Sequence, residues 1–347
     1  MNQWQINQPL IFFSTFAILV VVSKWASELI VPILISFMAT ILLNPIVKRL
    51  QKKGIPRGVS LLIVATILII LLTLFVVFIG SEINKFIANL SVYKEQINSF
   101  VKSIPEFANR YGVSINLSEI QNLIHIQKVL SFFKGMLLQF GNQFSNILLI
   151  LFSTFFMIMD LAYMDAKLKK VLNNNQIHLN NLKELFKKID RYFLIMAKVS
   201  LLTAIAVYII LTIYKIEYAL LWATLAFLLN FIPVIGSIIA AIPPIVLSLI
   251  EQKWGVSLWL IIWYLAINTV IGNIIQPAML GKGLGLSAFS VFWSMVFWGW
   301  IFGPAGMIMS VPLTMIVQSW LMLYPQTYWI GLMLSDYKGE DDESKRD

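Results

Sequence analysis

The chain has 347 residues, 59% of them hydrophobic and only 12% charged, with a mean hydropathy of +0.81, a formal net charge of +9 and no cysteine. Soluble domains carry about 25% charged residues, so an ordinary soluble protein is excluded. The lack of Cys also removes disulfide frameworks, thiol catalysis and Cys-based zinc sites.

The hydrophobic patterning predicts an all-α polytopic membrane protein. Candidate spans are Ile6–Trp25, Leu29–Val47, Val59–Ile79, Ile147–Tyr163, Tyr192–Tyr214 and Gly255–Ile271. The uncharged runs Leu29–Val47 and Val59–Ile79 have 19 and 21 residues, each about enough to cross a ~30 Å hydrocarbon core as a helix. No charged side chain precedes the first apolar stretch and no small-residue cleavage site follows it, so it is expected to be a span rather than a cleaved signal peptide.

The positive charge concentrates in two places. Lys48, Arg49, Lys52, Lys53 and Arg57 follow the second span; Lys167, Lys169, Lys170, Lys183, Lys187, Lys188 and Arg191 follow the fourth. Basic loops face the cytoplasm. Both termini are therefore expected inside and residues 81–146 outside. That charge has no nucleic-acid character.

The linear organisation expected is three spans over residues 1–80, an extracytoplasmic amphipathic segment over 81–146, a transport core over 147–335, and an acidic cytoplasmic tail over 336–347. In the outer segment, Ile83, Phe86, Ile87, Leu90, Tyr93, Ile97, Phe100, Val101 and Ile104 recur at helical spacing until Pro105. A second helix is expected from Ser118, where Gln121 completes a capping-box pattern. Asn173–Asn175 reads as a turn and Glu340–Glu343 as a solvated end.

Two later segments look like one device built twice. In one, Trp222 is followed eleven positions on by Pro233, then by Gly236 and Pro243; in the other, Trp293 is followed eleven positions on by Pro304, then by Gly306 and Pro312. Paired Pro/Gly-interrupted apolar segments point to a transporter binding site, because broken helices are tolerated only where they line a cavity. Tyr218–Ile250 has 33 residues and Phe289–Tyr324 has 36. Each is therefore either two short spans or one re-entrant hairpin. With a single span between them, re-entrant hairpins would be inverted relative to each other.

The polar residues in this region are amides. Asn230 lies three residues before the first break, while Asn268, Asn273 and Gln276 lie between the two devices. A buried amide needs a partner, either a neighbouring helix or a polar solute. The run through Gly281, Gly283 and Gly285 does not fit a phosphate loop and reads as a tight turn. No carboxylate lies deep in a span. Asp160 comes nearest, making it the one candidate for ion coupling, while Glu28, Glu217 and Glu251 sit at span boundaries. That balance favours a neutral polar solute over an ion. Neither His125 nor His178 has a metal-like partner nearby. Triads, paired carboxylates and metal clusters are absent from the pattern, so no enzyme, metal or cofactor is expected.

The stretches NFIPVIGSIIAAIPP, GNIIQPAMLGKGLGLS, FWGWIFGPAGM and SVPLT, with Asn44-Pro45 and the ending Leu332–Asp336, closely resemble the autoinducer-2 exporter family of bacterial inner-membrane transporters. They are most similar to its quorum-signal subgroup. The resemblance covers essentially the whole chain and implies export of autoinducer-2 and a homo-oligomer, a pentamer. Other members of the broad family are associated with sodium/proton exchange. Gln276 departs from the related subgroup, which often has an acid before this Pro.

The function expected is therefore export of autoinducer-2 or a similar small polar metabolite, with a site between the two broken segments. Pro233, Gly236, Gly303, Pro304 and Gly306 would shape the tips. Asn230, Asn268, Asn273 and Gln276 would supply hydrogen bonds. The alternatives are a sodium/proton antiporter titrating Asp160, and a non-transporting membrane scaffold that binds a partner through its outer segment.

Overall fold

A computed structural model describes residues 14–15, 17–89, 92–93, 95, 131, 135, 138, 147–171, 176–233, 235–251, 254–280 and 285–336. Among them there is no strand; residues 17–25 are helical. The helices that follow are α1 Ser27–Lys52, α2 Arg57–Ala88, α3 Ile147–Val171, α4 Gln176–Ile213, α5 Ala219–Leu229, α6 Gly236–Ile250, α7 Trp254–Ile267, a π-helix Asn268–Ile275, α8 Gln276–Leu280, α9 Ala288–Leu321 and α10 Tyr328–Met333. The expected all-α membrane fold is present.

Among the described residues five helices are long and apolar enough to cross a membrane: Ser27–Lys52, Arg57–Ala88, Leu179–Ile213, Trp254–Leu280 and Ala288–Leu321. The last does not run straight. Gly303 adopts φ 64 and ψ −148, a backbone region open essentially only to glycine. Trp298 Nε1 donates to Thr314 Oγ1 at 2.9 Å, although sixteen residues of straight helix would separate them by about 24 Å. Helix α9 is therefore a hairpin with legs before and after Gly303. The expected span Ile147–Tyr163 lies within α3, whose apolar part is Leu148–Leu161.

The basic residues are carried differently from the expected loops. Lys48, Arg49 and Lys52 end α1, and Arg57 opens α2 four residues after Lys53. Lys167, Lys169 and Lys170 ride on the end of α3, while Lys183, Lys187, Lys188 and Arg191 lie on α4. The helices continue beyond their apolar stretches because Lys and Arg are good helix formers. Helix α2 likewise passes Ile79 without a break and takes the helical spacing of the outer segment as far as Ala88. Beyond Ala88 that segment is described only at residues 89, 92–93, 95, 131, 135 and 138; the rest of it, with the capping box at Ser118, lies outside the described residues, as do Asn173–Asn175, Gly281, Gly283 and the acidic run Glu340–Glu343.

The chain forms two compact units. The first comprises Met1–Thr66, Asn146–Ile195 and Leu280–Asp347. Within it, Val47, Leu61, Val64 and Ile158 form a buried cluster, and Ser36 Oγ bridges from Pro32 O to Ile150 O. Arg57 donates to Ile158 O and Met159 O, anchoring the α1–α2 turn on α3. The second unit comprises Ile67–Ser145 and Met196–Met279 and contains α5, α6, α7 and the π-helix. Only 6% of the residues in the most apolar stretch of α2 are buried within the chain.

Candidate functional site

The second unit holds a polar crevice at the tip of the α5–α6 hairpin. Helix α5 is apolar throughout and ends at Leu229; the chain then turns at residues 230–233 and 235, where Pro233 has no N–H to continue a helix. Gly236 starts α6 directly against the end of α5. A Cβ there would lie 1.9 Å from Leu229 O, so no other residue fits. This close approach turns Asn230 and Ser237 inward.

Opposite the tip, α7 passes into the π-helix at Asn268. Two residues disfavour regular α-helix here. Pro277 has no N–H to donate backwards, and Gly272 costs about 1 kcal/mol relative to Ala. The glycine also makes room: a Cβ on Gly272 would be 3.1 Å from Asn268 Oδ1, so the Asn268 carboxamide lies over it. Single π-turns inside helices occur frequently at functional sites.

Five polar side chains line the crevice: Thr203 from α4, Asn230 and Ser237 from the tip, Tyr264 from α7 and Asn268. The walls between them are Ala226, Ala240, Ile267, Ile271 and Gly272. Ser237 Oγ donates to Asn268 Oδ1 at 2.9 Å. Asn230 Nδ2 donates to Ser200 Oγ at 3.0 Å, and Thr203 Oγ1 donates to Val199 O at 3.0 Å. The Tyr264 hydroxyl is buried with no hydrogen-bond partner. No charged side chain lines the space, which as built has room for about one water molecule.

Asn230 and Asn268, both singled out from the sequence, thus meet at one crevice, with Gly236 forming the tip and Pro233 in its turn. Gln276 is not part of the lining; its Nε2 contacts Met196 Sδ at 3.4 Å. Asn273 is exposed and also outside the lining. Asp160 belongs to the first unit, where Lys167 Nζ pairs with it at 2.6 Å on an exposed surface. Sequence reasoning passed over Ser200, Thr203, Ser237 and Tyr264. Ser200 and Thr203 are three residues apart inside an apolar run, which places them on one helix face and was the available signal.

Gly303, Pro304 and Gly306 form the tip of the α9 hairpin in the first unit. Gly306 repeats the Gly236 device: a Cβ would lie 1.9 Å from Trp298 O. The surroundings are apolar. Trp298 stacks on Phe302 with ring centroids 5.8 Å apart, and Ile301, Phe302 and Ala305 pack on Val31 of α1. Lys24 Nζ sits 3.8 Å above the Trp300 ring.

A second polar cluster joins the end of α2 to the turn before α5. Tyr93 donates to Glu217 and Asn89 Nδ2 donates to Tyr218 Oη at 2.8 Å. Phe86 sits among the rings of Tyr93, Tyr218 and Trp222. Burial, and then the bond to Glu217, hold the Tyr93 hydroxyl protonated well above its usual range. Lys215 and Tyr218 both have positive φ, 52 and 58, an uncommon conformation for bulky residues; Tyr218 accepts the bond from Asn89 and packs against the Phe86 ring. Among the described residues no three His, Asp or Glu side chains come together to hold a metal.

Comparison with known proteins finds one family, described as AI-2E family transporter, matching residues 13–326. The AI-2 transport protein TqsA of Escherichia coli K12 is 31% identical over 317 residues, 91% of this chain and 92% of its own length. A Haemophilus influenzae Rd protein is 33% identical over 344 residues, 96% of this chain and 98% of its own. YhhT of Escherichia coli K12 is 31% identical over 296 residues, 85% of each.

Proposed function

We propose that this chain, which belongs to the AI-2E family of transporters, exports a small neutral solute, autoinducer-2 or a similar polar metabolite, through the crevice at the α5–α6 tip. The observation that carries the reading is an uncharged polar lining deep in an apolar unit. Thr203 lies ten residues before the end of α4 at Ile213, and Tyr264 ten residues after the start of α7 at Trp254. Each is about 15 Å along its helix at ~1.5 Å per residue, half of a ~30 Å hydrocarbon core. The short legs support a re-entrant hairpin: α5 has 11 residues and α6 has 15, or about 16 and 22 Å.

Autoinducer-2 is larger than one water, so loading requires the α6 end of the hairpin to move from the π-helix and break the Ser237–Asn268 bond. Interhelical hydrogen bonds within membranes average about 0.6 kcal/mol, so this bond adds little to the packing that opening must undo. Asp160 is committed to Lys167 on an exposed surface and is not needed in this scheme. The reading also keeps a homo-oligomer, a pentamer, and cytoplasmic termini, which the resemblance and the basic residues imply.

The test is autoinducer-2 flux through purified protein in sealed liposomes containing a pH-sensitive dye. Saturable flux without a pH change is the expected result. A cation-dependent pH change without solute flux, abolished by Asp160→Asn, would replace this reading with the antiporter.

A further inference from the structure

We infer that the Tyr264 hydroxyl is the recognition group of the crevice and that it binds an alcohol hydroxyl of the transported solute. The inference deepens the proposed transport function and rests on it. Tyr264 is 9% exposed, and its hydroxyl oxygen is buried with no hydrogen-bond partner. Leaving such a group unpaired is costly, and a phenylalanine would occupy the same position without that cost. The buried hydroxyls of Thr154, Tyr192 and Ser310 also lack a partner, but they belong to the first unit and line no part of this crevice.

The hydrogen-bonding pattern around Tyr264 specifies its ligand. The Ser237 hydroxyl is committed as a donor to Asn268, and the Thr203 hydroxyl to Val199 O. Asn230 gives an amide hydrogen to Ser200. The Tyr264 O–H therefore remains free to donate, while Ser237 and Thr203 retain acceptor lone pairs. A ligand group that accepts from Tyr264 and donates to one of these oxygens would use both capacities at once. An alcohol hydroxyl does both, and it fits a space the size of about one water. No cation lines the space to offset the charge of a carboxylate or phosphate, and an ammonium group would find no carboxylate. The class of ligand is a neutral, hydroxyl-bearing small molecule.

Tyr264→Phe removes one oxygen and should leave folding intact or slightly improved, because the lost hydroxyl has no protein partner. In sealed liposomes the variant should raise the KM for autoinducer-2 about tenfold, the factor expected for one buried hydrogen bond. A site built to bond a hydroxyl discriminates against analogues lacking it. The loss should therefore vanish for one of the analogues in which a single hydroxyl is replaced by hydrogen. An unchanged KM overturns the inference. An equal loss for every such analogue, or a lowered unfolding temperature, would assign the hydroxyl a packing role and also overturn it. If the wild type moves no autoinducer-2, the cargo proposal fails and the inference is still decided by erythritol. Erythritol should raise the unfolding temperature of the wild type more than that of Tyr264→Phe, and equal shifts would sink it.

Discussion

In the α5–α6 hairpin the residue after the close-approach glycine is Ser237, which donates to Asn268 across the crevice; in the α9 hairpin it is Met307, which packs over Gly299. Both tips bring a glycine against a backbone carbonyl seven or eight residues earlier, with the same forbidden 1.9 Å to a would-be Cβ. The first turn uses residues 230–233 and 235 with no positive φ among them, whereas the second turns at Gly303 alone. One steric device thus supports two different surroundings. The first presents unspent hydrogen-bonding capacity, and the second is filled by Trp298, Phe302 and their apolar neighbours. A repeated motif locates broken helices, and the side chains around each break decide which one presents unpaired polar groups.

The largest effects should come from the glycines. Gly236→Ala and Gly306→Ala each force a methyl group into a carbonyl that cannot move without opening the hairpin. Each should destabilise the protein by about 3 kcal/mol or more and abolish flux. Thermal unfolding in detergent checks this; a stable Gly306→Ala variant would show that the two devices are not equivalent.

A smaller contrast separates the amides. Asn268→Ala removes the acceptor of Ser237 at the crevice and should cut autoinducer-2 flux by about tenfold. Asn273→Ala, at an exposed position outside the lining, should change flux less than about twofold, in line with the small effects of most surface substitutions. Equal losses in matched flux assays would move the site toward the exposed face of the π-helix.

The paired breaks were legible because Pro and Gly punctuate apolar runs whatever the tertiary packing. The matched tryptophans that accompany them carry less meaning. Trp222 is buried and donates to Glu217 O, while Trp293 is half-exposed. The residue in close approach at the second tip is Trp298. Amide positions were readable as polar exceptions, but their direction was not: Asn268 turns into the crevice and Gln276 toward Met196. Thr203 and Tyr264 escaped notice because hydroxyls are common in spans and Ser/Thr bond the preceding turn. Only packing distinguishes the free Tyr264 hydroxyl from a satisfied one. The π-helix also required the structure, although Gly272 and Pro277 mark where an α-helix weakens.

The most direct test of the central claim uses the natural absence of cysteine. Ser237→Cys and Met307→Cys place one thiol at the matching position of each tip. During reaction with a small water-soluble thiol reagent, saturating autoinducer-2 should slow labelling at position 237 and leave the rate at position 307 unchanged. Protection at position 307 alone, or at neither position, would contradict a solute site at the first hairpin.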